Sequence, residues 1–225
     1  MGALRSGTNI LAQMLETHWS VEVDFHAYGW KHAGVPVLAP SSPLQYPSVP
    51  IAWICKSPHA LVWSMHRYRL LTETGSTISL TGELGFEAFM RSPITIWDSR
   101  LPFSPRLHFA NPVQYWNFLT WNLETLDPER FSAVCFNYED IVADPSILTR
   151  IEEFLPVIRR TTGCISLPKT RMKRGTAKAK TGSDHFNASA VKAQSHLSAF
   201  SPDDLDFVAA QVDPWLMQRR GYELP

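Results

Sequence analysis

The chain has 225 residues, of which 44% are hydrophobic and 12% aromatic. This apolar content is enough for a buried core, which excludes a disordered or fibrous protein. Lys and Arg together number 21, as do Asp and Glu, so the net charge of zero argues against binding nucleic acid or a membrane through overall charge. No apolar run reaches the roughly 18 residues of a membrane span, and the three cysteines lack the paired spacing of a zinc or redox site. We therefore expect a soluble protein, without a metal, in the reducing cytoplasm.

Predicted strands and helices alternate along the chain, which is typical of an α/β domain with a mainly parallel central sheet flanked by helices. The segments 27–50 and 92–112 are rich in Pro or Gly and predict irregular connections. We find no repeat and no boundary, so residues 1–225 are expected to form one domain. Short apolar runs predict strands at 21–25, 51–55 and 132–137. Apolar spacing and capping residues predict helices at 8–18, 58–71, 112–126, 144–155 and 202–221, the last divided at Asp213-Pro214.

A glycine-rich segment near the start has the spacing of a phosphate-binding loop. Residues 2–8 have the sequence Gly-Ala-Leu-Arg-Ser-Gly-Thr, in which two glycines are followed by a hydroxyl residue that opens a helix. Glycines let successive backbone amides converge on an anion, and the helix start adds the positive end of its dipole. The lysine that nucleotide triphosphatases carry before the hydroxyl residue is absent, and Arg5 is the cation instead. The segment therefore predicts a phosphate site made by Arg5, Ser6, Gly7 and Thr8; an ordinary turn is the alternative.

These residues resemble the sulfotransferase superfamily that uses 3′-phosphoadenosine 5′-phosphosulfate (PAPS). In that family a loop Pro-(Lys/Arg)-Ser-Gly-Thr-Thr binds the 5′-phosphosulfate, and residues 4–9 match it with Leu for Pro and Asn9 for the second Thr. A second family motif, Arg-x-Pro with a Ser eight residues after the Arg, binds the 3′-phosphate. Here the corresponding residues are Lys56, Pro58 and Ser64. Lysine keeps the charge but lacks the guanidinium fork, so weaker 3′-phosphate binding is expected.

A basic segment supplies the third correspondence. Residues 156–183 contain eight Lys and Arg and no acid, whereas residues 122–155 contain eight acids and two bases. The family closes an Arg-Lys-Gly loop over the 3′-phosphate, and Lys173-Arg174-Gly175 resembles it with the two bases exchanged. The resemblance implies that this segment is a lid over a polyanionic cofactor; the alternative is a solvated surface loop.

The family's general base is a histidine that follows the second strand, usually beside a lysine. Lys31-His32 stands 24 residues before Lys56. The resemblance implies that His32 takes the proton of the acceptor and that Lys31 assists near the transferred group. A neutral imidazole can accept a proton at physiological pH, because its unperturbed pKa is about 6.5. An ordinary polar loop histidine is the alternative. His59, His66 and His108 show no partner at metal-ligand spacing.

Together the three segments imply a P-loop-like domain of three layers. The implied reaction transfers a sulfuryl group from PAPS to a hydroxyl or amine of a small-molecule or glycan acceptor, with the desulfated bisphosphate PAP as product. The alternatives are a shortened nucleotide-binding protein with little or no turnover and an atypical P-loop kinase for small molecules. A buried central strand should lead into the loop, yet the loop starts at residue 2, so that strand is expected to be missing. Glu139 and Asp140 are expected to be structural, because a carboxylate near the phosphosulfate would add negative potential.

Overall fold

The computed structural model describes residues 1–36, 45–69, 85–97, 105–160, 162–168 and 188–225. These residues form an α/β arrangement, as the alternating pattern predicted. Its elements are α1 (Thr8–His18), β1 (Ile51–Cys55), α2 (Pro58–Arg69), α3 (Phe86–Arg91), β2 (Ile94–Ile96), β3 (Leu107–Phe109), α4 (Pro112–Glu124), β4 (Ala133–Asn137), α5 (Tyr138–Ala143), a 3₁₀ helix (Pro145–Arg150), α6 (Ile151–Phe154), α7 (Ala188–Lys192), a second 3₁₀ helix (Ser195–Ala199), α8 (Pro202–Gln211) and α9 (Pro214–Arg220).

β1 and β4 form a parallel pair, with a register that runs from Ile51 opposite Ala133 to Cys55 opposite Asn137. Four of the five β1 residues are buried, which is expected of a parallel strand covered on both faces. The backbone of Met1 lies along the other edge of β1. Its amino nitrogen donates to Ala52 O at 2.6 Å, and its carbonyl accepts from Ile54 N at 3.0 Å. This is the hydrogen-bond pattern of a parallel neighbour, so the segment that follows Met1 leaves from the sheet edge.

Alternate residues of the sheet belong to two separate apolar clusters. Trp53 and Cys55 pack into one cluster and Ile54 into the other, because successive strand side chains point to opposite faces. The first cluster includes buried side chains of α2, α4, α8 and α9. The second includes those of α1, α5 and the 3₁₀ helix that follows α5. Helices therefore cover both faces of the β1–β4 pair.

Most of the predicted elements are confirmed with small shifts at their ends. α1 has the predicted bounds, and α8 begins with a capping box in which Ser201 and Asp204 satisfy each other's backbone amides. The chain divides at Asp213, whose side chain caps α9, and α9 ends at Gly221 in the left-handed conformation. The helix predicted at 144–155 is a 3₁₀ helix followed by the short α6. None of the described helices is long and apolar enough to cross a membrane.

Two predictions about irregular and regular segments are wrong. Residues 21–25 do not form a strand; the side chain of Glu16 accepts from Val23 N at 3.0 Å, so an α1 residue takes an amide that a strand would use. The Pro-rich segment 92–112 contains a short antiparallel pair, with Ile94 opposite Phe109 and Ile96 opposite Leu107. Three residues per strand are too few to give a clear alternation in the sequence.

Candidate functional site

The N-terminal loop, defined here as residues 2–7, is held closely against β1 and α5. Gly2 has a φ of 148°, and a Cβ on it would lie 2.5 Å from Ile54 O. Gly7 has a φ of 107°, and a Cβ on it would lie 2.6 Å from a ring carbon of Tyr138. Both glycines are therefore required by backbone conformation and by close approach. Arg5 also has a positive φ, 72°, which is uncommon for a residue with a side chain.

The loop ends at the start of α1, where backbone amides are free of the helix's own hydrogen bonds. Gly7 O accepts from Ile10 N and Leu11 N at 2.9 and 3.0 Å, and in the described part of the chain no side chain caps this end of α1. The amides of Thr8 and Asn9 therefore belong to the first helical turn, which has no acceptor within the helix. The amide of Ser6 instead donates to Ala3 O at 3.0 Å inside the loop. The positive end of α1 thus carries the amide donors that suit an anion.

Lys31 lies beside this first turn. Its Nζ donates to Asn9 Oδ1 at 2.7 Å and lies 3.7 Å from the centre of the Phe25 ring. Its backbone carbonyl accepts from Gly2 N at 3.1 Å, which ties the two segments together. The structure therefore brings the predicted cation next to the predicted anion-binding end of α1.

His32 is buried, with 7% of its surface exposed, and its ring is fixed by the loop. Its Nδ1 lies 2.7 Å from Gly2 O. Because a carbonyl oxygen only accepts hydrogen bonds, Nδ1 carries the hydrogen, and in the neutral ring Nε2 holds the basic lone pair. The ring of Trp30 meets the imidazole edge-on at 5.3 Å. This tautomer is the one that a general base acting through Nε2 requires.

A buried tyrosine on α4 joins His32 to the N-terminal loop. The hydroxyl of Tyr115 accepts from Leu4 N at 2.9 Å and donates to His32 O at 2.9 Å. Both bonds are buried, and burial raises the pKa of Tyr115, so the hydroxyl stays protonated. This link has no local signal in the sequence, because Tyr115 has the spacing of an ordinary core residue.

Lys56 follows β1 and is buried, with 8% of its surface exposed. Its Nζ lies 4.0 Å from the centre of the Tyr138 ring, the same ring that Gly7 approaches. Its carbonyl accepts from Trp116 Nε1 at 2.7 Å. The first two motifs of the sequence, separated by about fifty positions, therefore meet at one aromatic side chain. No local pattern in the sequence predicts this contact, because the two residues and Tyr138 are far apart along the chain.

The other predicted site residues are placed less closely or lie outside the described part of the chain. Ser64 is a half-buried residue of α2. Ser6 is fully buried, and its Oγ has no hydrogen-bond partner among the described residues. Lys173, Arg174 and Gly175 lie outside the described residues.

Two histidines that sequence analysis did not assign to the site lie near Lys56. His59 stands in the first turn of α2, and His196 belongs to the second 3₁₀ helix, which packs against α2. Burial and the neighbouring His196 lower the pKa of His59 to about 4. Burial and the charge of Lys56 lower the pKa of His196 to about 4. We call Lys56, His59 and His196 the basic cluster. Its Lys-x-x-His spacing was visible in the sequence, whereas nothing there indicated His196.

Glu139, for which a structural role was expected, connects the start of α2 to the C-terminal segment. Its Oε1 accepts from Ser57 N at 3.1 Å and its Oε2 accepts from the Tyr222 hydroxyl at 2.9 Å. One carboxylate oxygen thus holds the backbone next to Lys56, and the other holds the C-terminal segment.

The interior beneath the N-terminal loop offers little space. A cavity lined by Gly2, Trp53, Lys56 and Trp116, among others, has a volume of about 10 Å³, room for about one water molecule. This space is too small for a phosphate group. Among the described residues, no group of three or more His, Cys, Asp and Glu side chains is arranged to hold a metal ion.

Comparison with known proteins gave no match to a protein family, to a curated protein or to a solved structure.

Proposed function

We propose that this chain is a sulfotransferase that transfers a sulfuryl group from PAPS to a hydroxyl or amine of a small-molecule or glycan acceptor. One observation carries the proposal: Gly7 and Lys56 contact the same Tyr138 ring. A 5′-phosphosulfate site at the start of α1 and a 3′-phosphate site at Lys56 are therefore close enough to be considered parts of one nucleotide site. The proposal includes a three-layer, P-loop-like fold. The helices on both faces of the parallel strand pair support it, because they make a helix–sheet–helix arrangement.

The residues present fit an adenosine bisphosphate. At two glycines of the loop, the backbone comes so close to its neighbours that a Cβ would clash. The buried Oγ of Ser6 has no hydrogen-bond partner among the described residues. The polar groups at the loop and at the first turn of α1 include backbone amides and the cations Arg5 and Lys31. In the proposed site, Arg5, Gly7, Thr8 and Asn9 hold the 5′-phosphosulfate. Lys56 and Ser64 hold the 3′-phosphate together with Lys173, Arg174 and Gly175 of the segment outside the described residues.

Bound PAPS would supply a sulfuryl group whose bond to the 5′-phosphate oxygen breaks as the acceptor oxygen or nitrogen bonds to sulfur. His32 Nε2 takes the acceptor proton, since its Nδ1 is already committed to Gly2 O. In the proposed site, Lys31 and the α1 amides offset the charge on the sulfuryl oxygens and on the departing 5′-phosphate oxygen; the position of Lys31 Nζ beside the first turn of α1 supports this role. Positioning and charge stabilisation are the main contributions that such an in-line transfer needs from a protein.

A second candidate is a PAP-binding protein without turnover. One observation favours it: the cavity next to the loop and Lys56 holds about one water molecule, so the described residues offer no enclosed acceptor pocket there.

The test uses the full chain with isotopically labelled PAPS and a panel of hydroxyl and amine acceptors, beside calorimetry with PAP. Label transfer to an acceptor supports the sulfotransferase. PAP binding without label transfer to any acceptor supports the second candidate. Absence of PAP binding overturns both, and consumption of Mg·ATP with a phosphorylated acceptor would identify a kinase instead.

A further inference from the structure

The basic cluster has a feature that a simple cation site does not need, namely two buried imidazoles beside a lysine. His59 has 3% of its surface exposed and His196 has 9%. The His59 ring meets Phe200 edge-on at 5.4 Å, and the His196 ring lies 6.3 Å from the Trp63 ring. Each imidazole therefore has an aromatic ring beside it.

His59 Nε2 is buried and has no hydrogen-bond partner among the described residues. An unsatisfied buried polar atom is costly and rare, so it calls for a physical reason. A ligand that supplies an acceptor is one such reason. The same atom, once protonated, donates to an anion.

Among the described residues, the neighbouring elements do not provide a carboxylate that could be this acceptor. Glu139 is bound to Ser57 N and Tyr222, Glu87 lies 3.9 Å from Arg91, and Glu124 is paired with Arg219 and Arg220. Arg67 lies over the Trp63 ring at 4.7 Å, and His66 packs against Phe86 and Phe89. On the described parts of the elements packed around the two imidazoles, the charged and titratable groups are thus His66, Arg67, Glu87, Arg91, Tyr115, Glu124 and Lys192, and Lys56 and Glu139 lie at the start of α2.

We infer that His59 and His196, together with Lys56, bind the 3′-phosphate of the nucleotide and take up protons from solvent as it binds. This inference rests on the proposed function and adds to it two phosphate-binding residues and an uptake of protons. In the ligand-free chain both rings are neutral, because burial disfavours imidazolium at each of them and the charge of Lys56 adds to this at His196. A phosphate dianion reverses this balance, since each imidazolium then gains a charge-assisted hydrogen bond.

The uptake makes recognition of the 3′-phosphate depend on pH. If binding restores an imidazole from a pKa of about 4 to its ordinary 6.5, PAP affinity rises about fourfold per imidazole between pH 8 and pH 6. About 0.7 proton per imidazole is then taken up at pH 6. AMP lacks the 3′-phosphate, so its binding should not protonate either imidazole. The protonation of the phosphates themselves opposes the effect and is common to parent and variants.

The experiment measures PAP and AMP binding by calorimetry from pH 6 to pH 8, in pairs of buffers with different ionisation enthalpies, which gives the number of protons taken up. It compares the parent with His59→Gln and His196→Gln, in which the side chain stays polar but cannot be charged. His108→Gln is the matched control, because His108 is exposed on β3. At pH 6, each cluster variant should take up about 0.7 fewer protons than the parent with PAP, and the same number with AMP.

Each outcome decides one point. If neither PAP nor AMP binds, the proposed function fails and this inference with it. If PAP binds and the parent takes up no more protons with PAP than with AMP, the inference is overturned while the proposed function stands. Equal uptake by the parent and by both cluster variants overturns it as well. The parent comparison of PAP with AMP keeps the test decisive even where a variant does not fold.

Discussion

The N-terminal loop and the basic cluster both have the chemistry of a phosphate site, yet they are held in different ways. The loop is fixed by backbone hydrogen bonds to β1, to Lys31 and to the Tyr115 hydroxyl, and by glycines that leave no room for a side chain. The basic cluster is made of side chains, and one of their polar atoms has no partner among the described residues. Anion binding at the loop therefore depends on the shape of the backbone, and anion binding at the basic cluster depends on the charge of its side chains. Changes of shape should damage the loop, whereas changes of pH should act on the cluster.

The largest effect is expected at His32, which the loop holds through Gly2 O. His32→Asn keeps a side-chain N–H donor for that carbonyl but removes the basic Nε2. Turnover with labelled PAPS should fall about 10²- to 10⁴-fold, while PAP affinity stays within about threefold of the parent. A variant that keeps full turnover would show that His32 is not the base.

The next largest effect tests the shape of the loop. Gly7→Ala places a methyl group 2.6 Å from the Tyr138 ring at a φ of 107°. The clash and the backbone strain together should lower the free energy of unfolding by about 3 kcal/mol and abolish PAP binding. Gly29 has a positive φ but nothing within 4 Å, so Gly29→Ala should show the smaller effect of strain alone. Equal losses in urea denaturation would contradict the close contact with Tyr138.

Removal of the Tyr115 hydroxyl tests how the loop is tied to His32. Tyr115→Phe leaves Leu4 N and His32 O without their buried partner. Urea denaturation should show a loss of about 2 kcal/mol in the free energy of unfolding. Tyr46→Phe removes an exposed hydroxyl bond to Pro36 O and should cost less than about 0.5 kcal/mol. Similar losses for the two variants would mean that the bridge contributes little.

The last of these effects concerns the basic cluster and appears only as the pH falls. The pKa values of His59 and His196 are lowered to about 4 in the folded chain, so between pH 7 and pH 5 the unfolded chain binds more protons. The free energy of unfolding should fall over this range by up to about 2 kcal/mol for each histidine. In His59→Gln the free energy of unfolding should fall correspondingly less between pH 7 and pH 5. In His108→Gln it should fall as much as in the parent. An equal fall in the free energy of unfolding in all three proteins would contradict the burial of a neutral His59.

Local patterns in the sequence were sufficient for much of the fold and for the loop. The glycine spacing and the helix start predicted the loop and α1, and the capping residues predicted α8 and α9. The strand at 21–25 failed because a tertiary contact from Glu16 took a backbone amide. His196 was missed because its neighbour Lys56 is far away along the chain, and such proximity leaves no local signal. The role of Tyr138 as a shared surface for Gly7 and Lys56 was missed for the same reason.

The most direct test of the account is whether the loop and Lys56 bind two ends of one nucleotide. Calorimetry should compare PAP with 5′-AMP, which lacks the 3′-phosphate, and with 3′-AMP, which lacks the 5′-phosphate. PAP should bind more tightly than either, and Lys56→Ala should weaken PAP binding about tenfold or more while changing 5′-AMP binding little. If PAP binds no more tightly than 5′-AMP, or if Lys56→Ala weakens both ligands equally, the loop and Lys56 do not share one adenosine bisphosphate.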